Sequence, residues 1–202
     1  MRIVAGEFRG RTIAAPDGEA TRPTSDRVRE ALFSSLYSQL GGFEGTVVLD
    51  AFAGSGALGL EALSRGASRA VFFERDERAA AVLKKNVRAC GLDDSRAQVV
   101  RRDVMGAFPD MPGGPFDLVL LDPPYRDDPS AVLEMTSRLV ERGSVSSDAL
   151  VVYEHATASR DAVGEAAARL GYDVLTCKKY GKTMVTMIRC ARPGDALNPA
   201  GA

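Results

Sequence analysis

A chain of 202 residues with 45% hydrophobic and 26% charged side chains can bury one sizeable core, which excludes a collagen-like, low-complexity or wholly disordered polypeptide. Lys and Arg total 26 against 27 Asp and Glu, so the molecule as a whole exerts no long-range pull on a polyanion and is not a general nucleic-acid coat protein, although a local basic face is compatible with that sum. No apolar run approaches the length of a bilayer span, residues 1–11 lack a signal-peptide core, and Cys90, Cys177 and Cys190 show no C-x-x-C spacing, so a cytoplasmic protein with reduced thiols and no zinc site is expected.

In chain order, residues 1–20 scatter Arg2, Arg9 and Arg11 among Ile3, Val4, Phe8 and Ile13, and the turn signals Gly6, Gly10 and Asp17-Gly18 predict a small β-hairpin. Residues 24–40 read as a helix with Val28, Leu32, Phe33, Leu36 and Leu40 on one face and Thr24 or Ser25 as its N-cap. From residue 46 onward, apolar β-rich runs alternate with helical patterns. Strands are expected at 46–50, 70–74, 97–102, 116–122, 149–154, 172–180 and 182–190, with helices at 57–65, 76–90, 129–142 and 159–170. The last two strands are separated by little more than Gly181, too short for a crossover, so they predict an antiparallel hairpin. The fold class is therefore α/β: a Rossmann-like, seven-stranded, mostly parallel sheet with one antiparallel strand and helices on both faces. The expected organisation is a small amino-terminal extension over 1–23, a main domain over 24–192 and a loose tail over 193–202.

Chemistry concentrates at the ends of these strands. The first runs into DAFAGSGALG, which puts Gly54, Gly56 and Gly59 in the turn before a helix, where the backbone can approach a ligand and helix N–H groups point into the same crevice. This spacing alone also fits a dinucleotide site. Asp50, four residues ahead of the first glycine, favours a methyl donor, as do the acidic ends of the next strands: Glu74, placed for ribose hydroxyls, and Asp103, placed for an adenine amine. After the apolar strand FDLVLL comes Asp122-Pro123-Pro124-Tyr125. Two prolines fix an extended turn and remove two N–H donors, leaving carbonyl acceptors. An exocyclic base nitrogen, whose lone pair is delocalised, needs such acceptors. Asp122 and the Pro123 carbonyl can each take one N–H and aim the nitrogen, while Tyr125 stacks on the base.

DAFAGSGALG followed by LLDPPY resembles the amino-group branch of the class I methyltransferases, and RIVAGEFRGR with RPTSDRVREALFSSL narrows the likeness. To about Arg192 the chain resembles the RsmD family of 16S ribosomal RNA guanine-N2 methyltransferases. The resemblance implies S-adenosyl-L-methionine as cofactor, with methionine and sulfonium contacts from Asp50, Phe52, Ala53, Gly54 and Gly56. Ribose contacts come from Glu74 beside Arg75, adenine contacts from Asp103 and Val104, and catalysis from Asp122, Pro123, Pro124 and Tyr125. It implies no metal, because a sulfonium leaving group needs no Lewis acid, and it implies 16S rRNA in the small ribosomal subunit as partner of what is expected to be a monomer. Arg22, Thr24 and Arg27 are expected to help close the cofactor crevice, Thr24 as a cofactor contact.

Arg2, Arg9, Arg11 and Arg22, with Lys178, Lys179 and Lys182 around the hairpin tip, are the candidate RNA contacts. His155, the sole histidine, has no nucleophile near it in sequence and reads as structural. A DNA adenine-N6 methyltransferase would share Asp50, Glu74 and the Asp-Pro-Pro-Tyr element but usually needs a separate target-recognition region. A nicotinamide-dependent oxidoreductase would use the glycine turn and leave that element unexplained. Intact Asp122 and Tyr125 speak against a third reading, an RNA-binding assembly protein with an inactive core.

Overall fold

The computed structural model describes residues 1–16, 26–106 and 112–190. Arg22, the predicted helix cap at Thr24 or Ser25, the turn signal Asp17-Gly18 and the tail over 193–202 lie outside them. The chain divides into two compact units, Met1–Gly113 and Gly114–Ala202. Its strands form a seven-stranded, mostly parallel sheet, as expected for the α/β class.

In the first unit, α1 (Asp26–Leu40) is followed by β1 (Val47–Asp50), α2 (Ala57–Ser64), β2 (Arg69–Phe73), α3 (Glu77–Ala89) and β3 (Ala97–Val100). β1 pairs with β2 and β2 with β3, all in parallel. Both neighbours of β2 are strands, and its run is apolar from Ala70 to Phe73, the four residues of its five that are buried. α3 shows how locally consistent the sequence is. Ala79, Ala80, Leu83 and Val87 recur at helical spacing on the buried face, the Asp76 carboxylate accepts from the Ala79 N–H at 2.8 Å as N-cap, and Gly91 ends the helix at φ +71°.

Residues 1–16 do not make two strands. The antiparallel pairing is short, an Arg2–Thr12 bridge flanked by the Ile3 N–H to the Arg11 carbonyl at 3.0 Å and the Ile13 N–H to the Met1 carbonyl at 2.9 Å, and the segment is fastened further by side chains of α2 and α3. Glu61, fully buried, accepts the Val4 and Ala5 N–H groups at 2.8 and 3.0 Å, Ser64 Oγ accepts that of Phe8 at 2.9 Å, and Asn86 exchanges two hydrogen bonds with Ala14. Ile3, Phe8 and Ile13 are buried as a result.

In the second unit, β4 (Phe116–Leu121) leads to α4 (Pro129–Glu141), β5 (Val145–Ala156), a single 3-10 turn (Thr157–Ser159), α5 (Arg160–Arg169), β6 (Asp173–Tyr180) and β7 (Thr183–Arg189). β4 and β5 are parallel, whereas β7 runs antiparallel to both β5 and β6 and supplies the one reversed strand near the sheet edge. β5 begins at Val145, before the expected position 149. Its polar stretch Ser146-Ser147-Asp148 reads as loop in sequence, but it is the bulged part of the strand, where the register to β4 shifts between Phe116 and Leu118.

Candidate functional site

β1 carries Asp50 to its last position, where the side chain is 2% exposed and Oδ2 accepts the Gly59 N–H at 2.9 Å. Burial pushes the Asp50 carboxyl up to about 7, the Gly59 N–H works in the opposite direction, and the nearby Glu74 charge adds to the rise. Gly54 and Gly56 lie in the turn, whereas Gly59, expected there too, is in the first turn of α2, and the three do different work. At Gly54, φ +51°, an added Cβ would meet nothing within 4 Å, so the backbone faces open space. At Gly56, φ +80°, a Cβ would stand 2.3 Å from Leu83 Cδ1, and at Gly59 it would stand 2.3 Å from Phe72 Cε1. Gly54 leaves room for a ligand, and the other two let α2 lie close to its own unit.

Glu74 directly follows β2 and straps this turn. Its Oε2 accepts the Gly54 N–H at 2.8 Å and its Oε1 the Asp76 N–H at 2.7 Å. Because β3 ends at Val100, Asp103 stands in the loop beyond it and not at the strand terminus. There its Oδ1 accepts the Met105 N–H at 2.9 Å, and its Oδ2 lies 3.3 Å from the guanidinium of Arg75. Two expected cofactor contacts, Arg75 and Asp103, thus face each other across a half-exposed ion pair. Val104 and Ala53 are buried, and Phe52 is half-buried. Asp50 through Gly59 and Glu74 through Gly54 thus place two acidic acceptors on one glycine segment, with Arg75 and Asp103 as a linked pair in the same unit.

In the second unit, Asp122 follows the last residue of β4 and is exposed, Pro123 is buried, and Pro124 and Tyr125 are exposed. The Asp127 N–H donates to the Pro124 carbonyl at 2.9 Å to close the turn, and Asp128, accepting the Ser130 N–H at 3.3 Å, caps α4. The Tyr125 hydroxyl bonds Thr183 Oγ1 at 2.7 Å while 49% of the residue stays exposed. An aromatic ring tethered at its far end with this much surface in solvent suits stacking on a planar ligand.

The basic positions separate. Arg2 is paired with Asp26 at 2.9 Å, and the Arg11 guanidinium donates to the Ala89 carbonyl at 2.5 Å and sits 5.5 Å over the Phe8 ring, whereas Arg9 is exposed. Lys178 and Lys179 are consecutive on β6 and so face opposite sides of the sheet. Lys178, opposite Val185, shares the Thr183 face, and Lys179, opposite Met184, shares the face of Cys177 and Thr186. His155 is buried with Nδ1 3.0 Å from the Ala156 carbonyl and Nε2 2.8 Å from Thr186 Oγ1. A carbonyl only accepts, so Nδ1 holds the proton and Nε2 accepts from the threonine hydroxyl. Burial lowers the His155 pKa and keeps the ring neutral, which is a structural role.

The family model described as "Conserved hypothetical protein 95" matches residues 1–189. The chain belongs to this family, the RsmD family. Two of its relatives are named "Ribosomal RNA small subunit methyltransferase D". The one from Escherichia coli K12 is 40% identical over 153 residues, 76% of this chain and 73% of the relative, and the one from Haemophilus influenzae is 37% identical over 155 residues, 76% and 78%. Bacillus subtilis YlbH is 35% identical over 193 residues, 94% of this chain and 98% of that protein. The solved structure of Escherichia coli yhhF superposes with a TM-score of 0.72 at 31% identity, covering 95% of this chain and 98% of that one.

Sequence reasoning missed three supports of the site. Asn86 Nδ2 donates to the carbonyl of Ser55, inside the glycine turn, at 2.8 Å. Glu61 holds Arg65 at 2.8 Å and lies 3.8 Å from the buried Arg29. Thr183 anchors Tyr125. The available signal was a polar residue on the buried face of an otherwise apolar pattern, which applies to Glu61 in ALGLEALS and to Asn86 in α3.

Proposed function

We propose that this chain is an S-adenosylmethionine-dependent methyltransferase that methylates the exocyclic N2 amine of a guanine in 16S ribosomal RNA within the small ribosomal subunit. The observation that carries the donor assignment is the acidic cradle. Asp50 takes the Gly59 N–H, one of the free donors of the first turn of α2, and Glu74 takes that of Gly54. A pyrophosphate needs those N–H groups and is repelled by those carboxylates, whereas a ligand with a cationic sulfur, an ammonium group, ribose hydroxyls and an adenine amine is matched to acidic acceptors. The open space at Gly54 is compatible with such a ligand resting on the backbone. The names of the family's relatives support ribosomal RNA as the methylated molecule.

S-adenosylmethionine supplies a methyl group on a positively charged sulfur that leaves with the bonding pair. Asp50, Phe52, Ala53, Gly54 and Gly56 would hold its methionine part, Glu74 and Arg75 its ribose side, Asp103 and Val104 its adenine, with Thr24 at the crevice edge. On the acceptor side Asp122 and the Pro123 carbonyl accept the two amine N–H bonds, Pro124 fixes the turn, and Tyr125 stacks on the base. Asp122 then faces the positive charge that develops on nitrogen as its lone pair is used. The phosphate contacts are proposed to be drawn from Arg2, Arg9, Arg11, Arg22 and the three lysines of the β6–β7 hairpin, of which Arg2 and Arg11 already have partners within the chain.

The test is transfer of a labelled methyl group to small subunits, naked 16S RNA and duplex DNA in parallel, with the modified base identified by mass spectrometry. Label in N2-methylguanine of the ribosomal RNA is the expected outcome. Label confined to adenine of DNA overturns the substrate assignment, and tight nicotinamide cofactor binding without any donor binding overturns the reaction class.

A further inference from the structure

We infer that Thr183 is a positioning residue for the acceptor base, acting through the ring of Tyr125. This rests on the functional reading above, in which Tyr125 stacks on the base. Tyr125 is 49% exposed, so much of it lacks packing neighbours, and its outer end is held by the 2.7 Å hydrogen bond between its hydroxyl and Thr183 Oγ1.

The anchor is much better held than the ring. Thr183 is 8% exposed and opens β7, where it pairs with Tyr180 on one side and Ala156 on the other. Its neighbour Lys182 offers a carbonyl that accepts from both the Thr157 hydroxyl, at 2.9 Å, and the Thr157 N–H, at 3.3 Å. Gly181 alone in the two-residue connection has a positive φ, +64°, as a tight type II′ hairpin turn requires. The β-branched side chain adds a stiff χ1. A mobile aromatic is thus tied to a strand locked between two neighbours.

The tie also sets a register. Lys178 lies on the same sheet face as Thr183, so a phosphate held by Lys178 stands at a fixed offset from a ring that Thr183 holds in place. Base stacking and backbone grip then act on one nucleotide geometry and not as two independent contacts.

The variants Thr183→Val, Thr183→Ser, Tyr125→Phe and Thr183→Val with Tyr125→Phe, all in the full chain, test this. Valine keeps the shape and removes the hydroxyl, serine keeps the hydroxyl, and phenylalanine keeps the ring. Thr183→Val is expected to lower kcat/KM for the ribosomal acceptor about three- to tenfold, the range of one neutral hydrogen bond, with donor Kd and Tm unchanged. Thr183→Ser restores the rate, and the double variant is no slower than the slower single one, because both changes remove the same bond. A wild-type rate in Thr183→Val, no rescue by serine, or losses that multiply in the double variant overturn the inference. If the wild-type chain methylates no RNA, the functional reading fails by itself. The tie is then judged by amide hydrogen exchange over residues 122–127: faster exchange in Thr183→Val upholds it, and unchanged exchange ends it.

Discussion

Asp50 holds its charge in a place that disfavours it. A carboxyl raised to about 7 by burial stabilises the fold fully only below the ordinary carboxylate range, and that contribution is lost as the pH climbs from about 4 toward 7. A cationic ligand beside it reverses the preference, because the ionised form then gains a partner. Donor affinity is therefore expected to rise between about pH 6 and pH 8, by close to tenfold per unit on the acid side, and Asp50→Asn should flatten the profile. Calorimetric titration of S-adenosylmethionine at three pH values reads this directly, and a level wild-type profile refutes it. Asp122 is exposed just past the end of β4, and its proposed task is the amine. Asp122→Ala is expected to cut kcat by orders of magnitude with donor Kd changed less than about threefold. A comparable loss of donor binding would move Asp122 from the acceptor side to the cofactor side.

Among the elements, the amino-terminal segment depends most on a single side chain. Glu61 is completely buried and serves two backbone N–H groups and the guanidinium of Arg65, with Arg29 nearby. Glu61→Ala leaves buried charge unpaired, for which about 3–5 kcal/mol of destabilisation is expected, read as a large fall in Tm. Glu61→Gln, which keeps the shape and one acceptor oxygen but turns an NH2 donor toward the other partners, should lose less than alanine. This anchoring was not legible in the sequence: a glutamate in a helix is ordinarily a solvated one, and its partners at Val4 and Ala5 lie 57 and 56 positions away. β1, β2 and β4 were legible because each is a mainly apolar run that stops at an acidic residue, and the helices because their apolar spacing, caps and glycines agree. The first residues of β5 were not, since Ser146-Ser147-Asp148 has loop chemistry inside a strand. Of the candidate site, the cradle and the Asp-Pro-Pro-Tyr turn could be read from local order. The Tyr125–Thr183 contact, 58 positions apart, could not.

For the molecule as a whole, a net charge of −1 limits what electrostatics can supply. Arg2 and Arg11 have intramolecular partners, and Lys178 and Lys179 diverge, so few cations are arranged to meet one phosphate track. Affinity for the small subunit is expected to weaken by about one to two powers of ten between 50 and 200 mM salt, below the roughly three to five of proteins that make six to ten phosphate contacts. A filter-binding series against salt measures the slope, and a steep one would mean a larger basic footprint than these residues provide. Among the described residues no helix is long and apolar enough to cross a membrane.

The carboxamide of Asn86 accepts the Ala14 N–H on its oxygen, and its nitrogen donates to the carbonyls of both Ala14 and Ser55. One planar group therefore serves as rivet for the chain's opening stretch and as a floor beam of the glycine bend. A guest that shifts Ser55 tugs on Ala14, and by reciprocity a loosened opening stretch weakens the guest's seat, so fastening and occupancy are two readings of one equilibrium.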